Sequence, residues 1–383
     1  SIILLLKSIS GHFASLRHVA LPPQPTLALS LWHQVRLPLP ALFLMAAVFL
    51  LLGCTPGRFS QTGNGWSPAT GLDGSVYVGT KQGTVTALTD NGFEGSETLW
   101  TFPANRDGDS EDGVALFGIY DSPVVGEDLV YVSAINGVLY AIDREKGPLG
   151  WQQPKGIAED ERPQLVAGPA LDPESNAVVV GSEDGQLYAY DAKTGEPRDG
   201  FPFRAEDKIW STPVIKDGVV YFGSHDKHIY AVSLADGTLK WKFLTGGTVA
   251  GRPLLFRDMV IAGSFDKKLY AINIKDGRKV WEFLGENWFW AGAVTNGRTI
   301  FAPSMDGNVY ALDRGGNLSW KHDLETPIVS RPVLVPGGLV VGGRDGRIRL
   351  LDTSLAEVGL QRVRAFLPLR GDPEILAPLT AVD

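Results

Sequence analysis

Seven copies of one eleven-residue pattern constrain this chain more than any other feature. The clearest are Tyr221-Phe-Gly-Ser-His-Asp-Lys-His-Ile-Tyr-Ala231, Ile261-Ala-Gly-Ser-Phe-Asp-Lys-Lys-Leu-Tyr-Ala271 and Phe301-Ala-Pro-Ser-Met-Asp-Gly-Asn-Val-Tyr-Ala311. Further copies run from Tyr77 to Ala87, Tyr131 to Ala141, Val179 to Ala189 and Val340 to Leu350. Their last residues are spaced by 54, 48, 42, 40, 40 and 39 positions. A period near 40 marks a repeat architecture, in which one supersecondary unit stacks on the next.

Each unit reads as strands. A small residue and usually a proline open a short run (Ser122-Pro123, Gly168-Pro169, Ser211-Thr-Pro213, Gly251-Arg-Pro253, Ser330-Arg-Pro332), as suits the start of an innermost strand. An apolar run such as Val219–Gly223 follows, then a tight Asp-Gly or Asn-Gly turn (Asn136-Gly137, Asp184-Gly185, Asp306-Gly307, Asp345-Gly346) leading into Leu-Tyr-Ala. Trp100, Trp151, Trp241, Trp281 and Trp320 then sit in a closing alternating strand such as Leu239-Lys-Trp-Lys-Phe243. Four antiparallel strands per 40 residues predict an all-β chain, a β-propeller with seven complete blades. The last residues, Ala377–Asp383, resemble Ser67–Asp73 and read as the start of an eighth blade cut short, the rival being a closed seven-bladed ring with a C-terminal tail.

The spacings Ala141-x5-Gly147-x3-Trp151, Ala231-x5-Gly237-x3-Trp241 and Ala271-x5-Gly277-x3-Trp281 resemble the tryptophan-docking repeat of the PQQ-like β-propellers. The resemblance implies that each Trp wedges between neighbouring blades. The Ala189 copy departs from it, keeping Gly195 but leading to Phe201, and the Ala311 copy is one residue short before Trp320. This architecture serves enzymes and scaffolds alike, so it does not assign a function.

The N-terminal 53 residues have a different character. Residues 1–53 hold three basic residues (Lys7, Arg17, Arg36) and no acidic one. From Ala41 to Leu52 the chain is uncharged and apolar. Twelve residues of helix reach only about 18 Å, too short for a bilayer core but right for the apolar part of a signal peptide. Leu51-Leu52-Gly53-Cys54 resembles the lipobox of bacterial lipoproteins, which implies diacylglycerol on Cys54, the one cysteine. Two acyl chains anchor stably where one is marginal. The organisation expected is therefore upstream read-through over 1–34, a lipoprotein signal over 35–53, a tether over 54–65 and one propeller over 66–383. This places the domain outside the cytoplasm.

Composition excludes several functions. Of 35 basic and 43 acidic residues, 32 and 43 fall after residue 53, a net charge of −11 that repels nucleic acid. One cysteine rules out a disulfide framework or a cysteine metal centre. Asp107, Asp109 and Glu111 alternate as calcium ligands do, but Gly113 is displaced from the calcium-loop position, and the segment reads as a solvated acidic loop. His225 and His228 flank a hairpin turn and read as exposed polar residues. Gly-x-Ser-x-Gly is absent.

The remaining candidates are aromatic and basic: Trp66, Tyr120, Trp210 and the run Trp288-Phe289-Trp290, with Arg252 and Arg331 in equivalent segments. In a propeller these connections ring the channel mouth, and exposed Trp, Tyr and Arg dominate binding hot spots. The alternative is that they plug the channel. The combination of lipobox and PQQ-like propeller resembles the lipoprotein family of outer-membrane β-barrel assembly, implying a monomeric, non-catalytic scaffold that binds envelope or extracellular proteins without a cofactor. Two alternatives stay open: a quinoprotein oxidoreductase using PQQ with Ca²⁺, and a carbohydrate-binding propeller.

Overall fold

A computed structural model describes residues 66–80, 83–89, 97–104, 116, 118–354 and 363–368. Cys54, Asp107, Asp109, Glu111 and the segment 377–383 lie outside the described residues.

Alternating apolar positions, cut every few residues by turn-forming Asp, Asn and Gly, give strands of two to seven residues. These form seven four-stranded antiparallel sheets, each a simple meander in chain order. The blades span Trp66–Phe102, Val124–Gln153, Ala170–Arg204, Val214–Leu244, Leu254–Leu284, Val294–Asp323 and Val333–Pro368. Among the described residues the only helix is a single 3₁₀ turn, Glu159–Glu161. The first strands of neighbouring blades approach one another, as in blades 1 and 2, 2 and 3, 3 and 4, and 6 and 7, and so face the ring axis.

Period-two alternation sends successive residues of a strand to opposite faces, and each face is buried against a different neighbour. In the second strand of blade 4, Val220 and Phe222 pack with Ala177, Val179 and Leu187 of blade 3. Tyr221, between them, packs with Val260, Ala262 and Tyr270 of blade 5. Every consecutive pair from blades 1 and 2 to blades 6 and 7 shares such an apolar cluster. The core is thus a series of seams between blades.

The tryptophans lock four of these seams. The Trp100, Trp151, Trp241 and Trp281 rings lie against Gly147, Gly195, Gly277 and Gly316 of the following blade, where an added Cβ would sit 2.6–2.8 Å from the ring. Each indole Nε1 donates to a carbonyl of that blade: Arg144 (2.9 Å), Ala192 (3.0 Å), Ile274 (3.0 Å) and Arg314 (2.9 Å). Trp320 is buried in the seam between blades 6 and 7, its ring 5.8 Å from Phe301. Blade 3, with Phe201 in place of Trp, closes its seam with backbone. An added Cβ on Gly237 would lie 2.0 Å from the Gly200 carbonyl oxygen, so two main chains meet where an indole would otherwise stand.

Candidate functional site

One face of the ring carries both the connections between blades and the turns between second and third strands. Main-chain bonds tie them together at the same place in four blades: His225 N–H to Lys208 O (2.9 Å), Phe265 N–H to Thr248 O (2.9 Å), Met305 N–H to Trp288 O (2.9 Å) and Arg344 N–H to Pro327 O (3.0 Å). The serine before three of these residues adds a second tie, as in Ser224 Oγ to Asp207 O (2.9 Å) and Ser264 Oγ to Gly247 O (3.0 Å). The aromatic residues on these connections therefore stand on a fixed backbone.

The turn aspartates complete the scaffold. Asp226, Asp266 and Asp306 each accept from the tyrosine four residues on, Tyr230 (2.6 Å), Tyr270 (2.6 Å) and Tyr310 (3.0 Å). They also accept from backbone N–H groups of the preceding connection, Glu206 (2.9 Å), Gly246 (2.6 Å) and Glu286 (3.1 Å). Burial disfavours charge on Asp226 and Asp306, yet the donors around them outweigh it and hold both carboxyls below the usual range.

On this base Trp288 and Trp290 both stack on Phe265, with centroids 4.7 and 5.0 Å away and interplanar angles of 4° and 21°. Trp288 is 40% exposed and Trp290 half-buried. Phe289 points the other way: it is fully buried against Phe283 and Tyr310 in the seam between blades 5 and 6, and so is a core residue with no place on the rim. Adjacent strand-like residues project to opposite sides, which is why only the two tryptophans of the run reach the surface.

Trp210 occupies the corresponding connection before blade 4. Its indole Nε1 donates to Glu183 Oε1 (2.9 Å), Lys208 lies 5.8 Å over the ring, and His225 meets it edge-on at 4.4 Å. His225 is thus half-buried, unlike the exposed turn residue expected, with its Nε2 buried and unpartnered. Desolvation pushes its pKa below the ordinary value. Tyr120 is half-buried before blade 2, and Trp66 opens the first strand of blade 1 in register with Thr80. Phe265 and His225 were not legible as site residues; the available signal was a large ring between Ser and Asp in the turn, facing the Trp-bearing connections.

Nearer the axis, Arg252, Gly292 and Arg331 hold equivalent places two residues before the first strands of blades 5, 6 and 7. Arg252 is exposed and Arg331 half-buried. Asp121, before blade 2, accepts from Gly168 N–H (3.1 Å), from the Thr212 hydroxyl and from Ser122 N–H (2.6 Å).

A Ca²⁺-bound quinone would need converging oxygen donors. Among the described residues no three His, Cys, Asp or Glu side chains come together, and the axial groups are arginines with a carboxylate already engaged by neutral donors. These residues do not fit that cofactor.

A family model described as outer membrane protein assembly factor BamB matches residues 31–200 and 149–283. The chain belongs to this PQQ-like propeller family. Among family relatives, the outer membrane protein assembly factor BamB of Moranella endobia (strain PCIT) is 26% identical over 178 residues, 44% of each protein. That of Yersinia pestis is 28% identical over 174 residues, 44% of this chain and 40% of that protein. The matches therefore span less than half the length of these relatives. The crystal structure of BamB from Moraxella catarrhalis superposes with a TM-score of 0.58 at 20% identity, covering 73% of this chain and 82% of that one, a likeness of fold.

Proposed function

We propose that this chain is a membrane-tethered, extracytoplasmic propeller acting as a non-catalytic protein-binding scaffold in outer membrane protein assembly, working without a cofactor. The observation that carries the reading is the Trp288–Phe265–Trp290 stack, with Trp210 on the connection two blades earlier, held on the same face. Solvent-exposed, preorganised aromatics give a partner large contact area at little ordering cost. Membership of the assembly-factor family supports the choice of partner class, and the lipobox-like Leu51–Cys54 supports the tether. Among the described residues the axial groups are arginines and a carboxylate engaged by neutral donors, which favours this reading over a quinoprotein oxidoreductase.

The test is capture by the full chain of an unfolded outer membrane protein and of its membrane-embedded assembly partner, with and without Trp288→Ala. Capture should fall at least tenfold while the melting temperature holds. Equal capture by the variant would overturn the assignment of this face, and capture of neither protein class would overturn the assembly role.

A further inference from the structure

We propose that the axial mouth between blades 5 and 7 is an oxyanion-binding site, in which Arg252 and Arg331, in equivalent places either side of Gly292, grip a carboxylate or phosphate group. The site needs only a small anion and does not rest on protein capture. Three observations carry it.

First, neither guanidinium has an ion-pair partner among the described residues, and the Nε of Arg331 is buried with no hydrogen-bond acceptor. A buried cation without an acceptor is costly, and a guanidinium presents its donors as a fork shaped for oxyanions. Second, the carboxylate that acts on Arg331 is already engaged by other donors. Asp121 acts on Arg331 through space, but its oxygens already accept from Gly168, Thr212 and Ser122, all neutral donors. Burial, then the like charge of Arg252, lowers the Arg331 pKa to about 10, with Asp121 opposing. Two cations thus share one site, and an incoming anion would relieve both the repulsion and the missing acceptor.

Third, the fold fixes the main chain that carries Arg252 against the intervening blade. Gly292 stands in the register of the two arginines on the intervening blade, and a Cβ there would lie 2.4 Å from the Arg252 carbonyl oxygen. No side chain fits at 292 without moving that backbone. The same close approach fixes Arg252 against the segment that carries Trp290, since a Cβ on Gly251 would lie 2.6 Å from the Trp290 carbonyl oxygen.

Calorimetric titration of the full chain with inorganic phosphate, and separately with acetate, at constant ionic strength set by NaCl, tests this. One anion should bind per chain, and Arg331→Gln and Arg252→Gln should each weaken binding at least tenfold. Arg257→Gln, which removes a charge from the turn between the first two strands of blade 5, should leave it unchanged. Saturation by phosphate alone points to a phosphate-bearing ligand, and competition by acetate to a carboxylate. If Arg331→Gln fails to fold, Arg252→Gln, at an exposed position, carries the test. No saturable binding of either anion, or equal weakening by all three substitutions, would overturn the proposal.

Discussion

Trp241 and Trp288 show how differently one residue type is used in this chain. Trp241 is 8% exposed, docked on Gly277 and bonded to Ile274 O; Trp288 is 40% exposed and touches its neighbours on one face. Trp241→Ala should cost about 3–5 kcal/mol in denaturant unfolding, because it opens a cavity in a seam. Trp288→Ala should cost about 1 kcal/mol or less. Equal losses would mean that the aromatic stack is structural. His225 makes a different residue-scale prediction. Its pKa is lowered in the folded state, so as pH falls the unfolded chain takes up a proton first. The stability from this site is complete above the ordinary value of about 6.5 and declines as pH falls from there towards the folded pKa. His225→Phe should flatten the melting temperature between pH 5 and 7; a wild-type protein already flat in that range would contradict the reading.

Between elements, the recurring device is the turn aspartate that joins its own tyrosine to the backbone of the connection before it. Asp226 and Asp306 have lowered pKa values, so they contribute stability above the unfolded carboxyl range and lose it as pH falls through about 4 towards the folded value. Tyr230→Phe should cost about 1.5–3 kcal/mol at neutral pH, as expected for a hydrogen bond to a charged group, and should reduce the acid dependence in urea denaturation at pH 3 to 6. An unchanged acid limb would place the dependence elsewhere. This scale also shows what the sequence made legible. The period, the tight turns and the Ala-x5-Gly-x3-Trp spacing were readable because they lie within about twenty residues of one another. Docking of Trp241 on Gly277 of the next blade came only through family resemblance, since spacing within a repeat does not say which repeat receives the ring. The replacement of an indole by the Gly200–Gly237 contact left no signal, because it joins two main chains. For the site, Trp288 and Trp290 were visible as a run, but the inward turn of Phe289 depends on local strand direction and the partnership with Phe265 on a turn in another blade.

Across the whole ring, no blade from 2 to 6 has a core of its own: each divides its apolar residues between two seams, and each seam is one packed cluster. Stability should then behave as a sum over seams with strong coupling inside each, as in repeat proteins whose units contact only their neighbours. Trp151 belongs to the seam between blades 2 and 3, and Trp320 to that between blades 6 and 7. They share no cluster, so the losses from Trp151→Ala and Trp320→Ala should add to within about 0.5 kcal/mol in the double variant. Trp320 and Phe301 lie 5.8 Å apart in one seam, so Trp320→Ala and Phe301→Ala should couple by roughly 0.5–3 kcal/mol. Denaturant unfolding of the four variants, with the doubles, measures both quantities. Coupling between the distant pair as large as within the near pair would mean that strain passes round the ring, and additivity within the near pair would mean that a seam is not a packed unit.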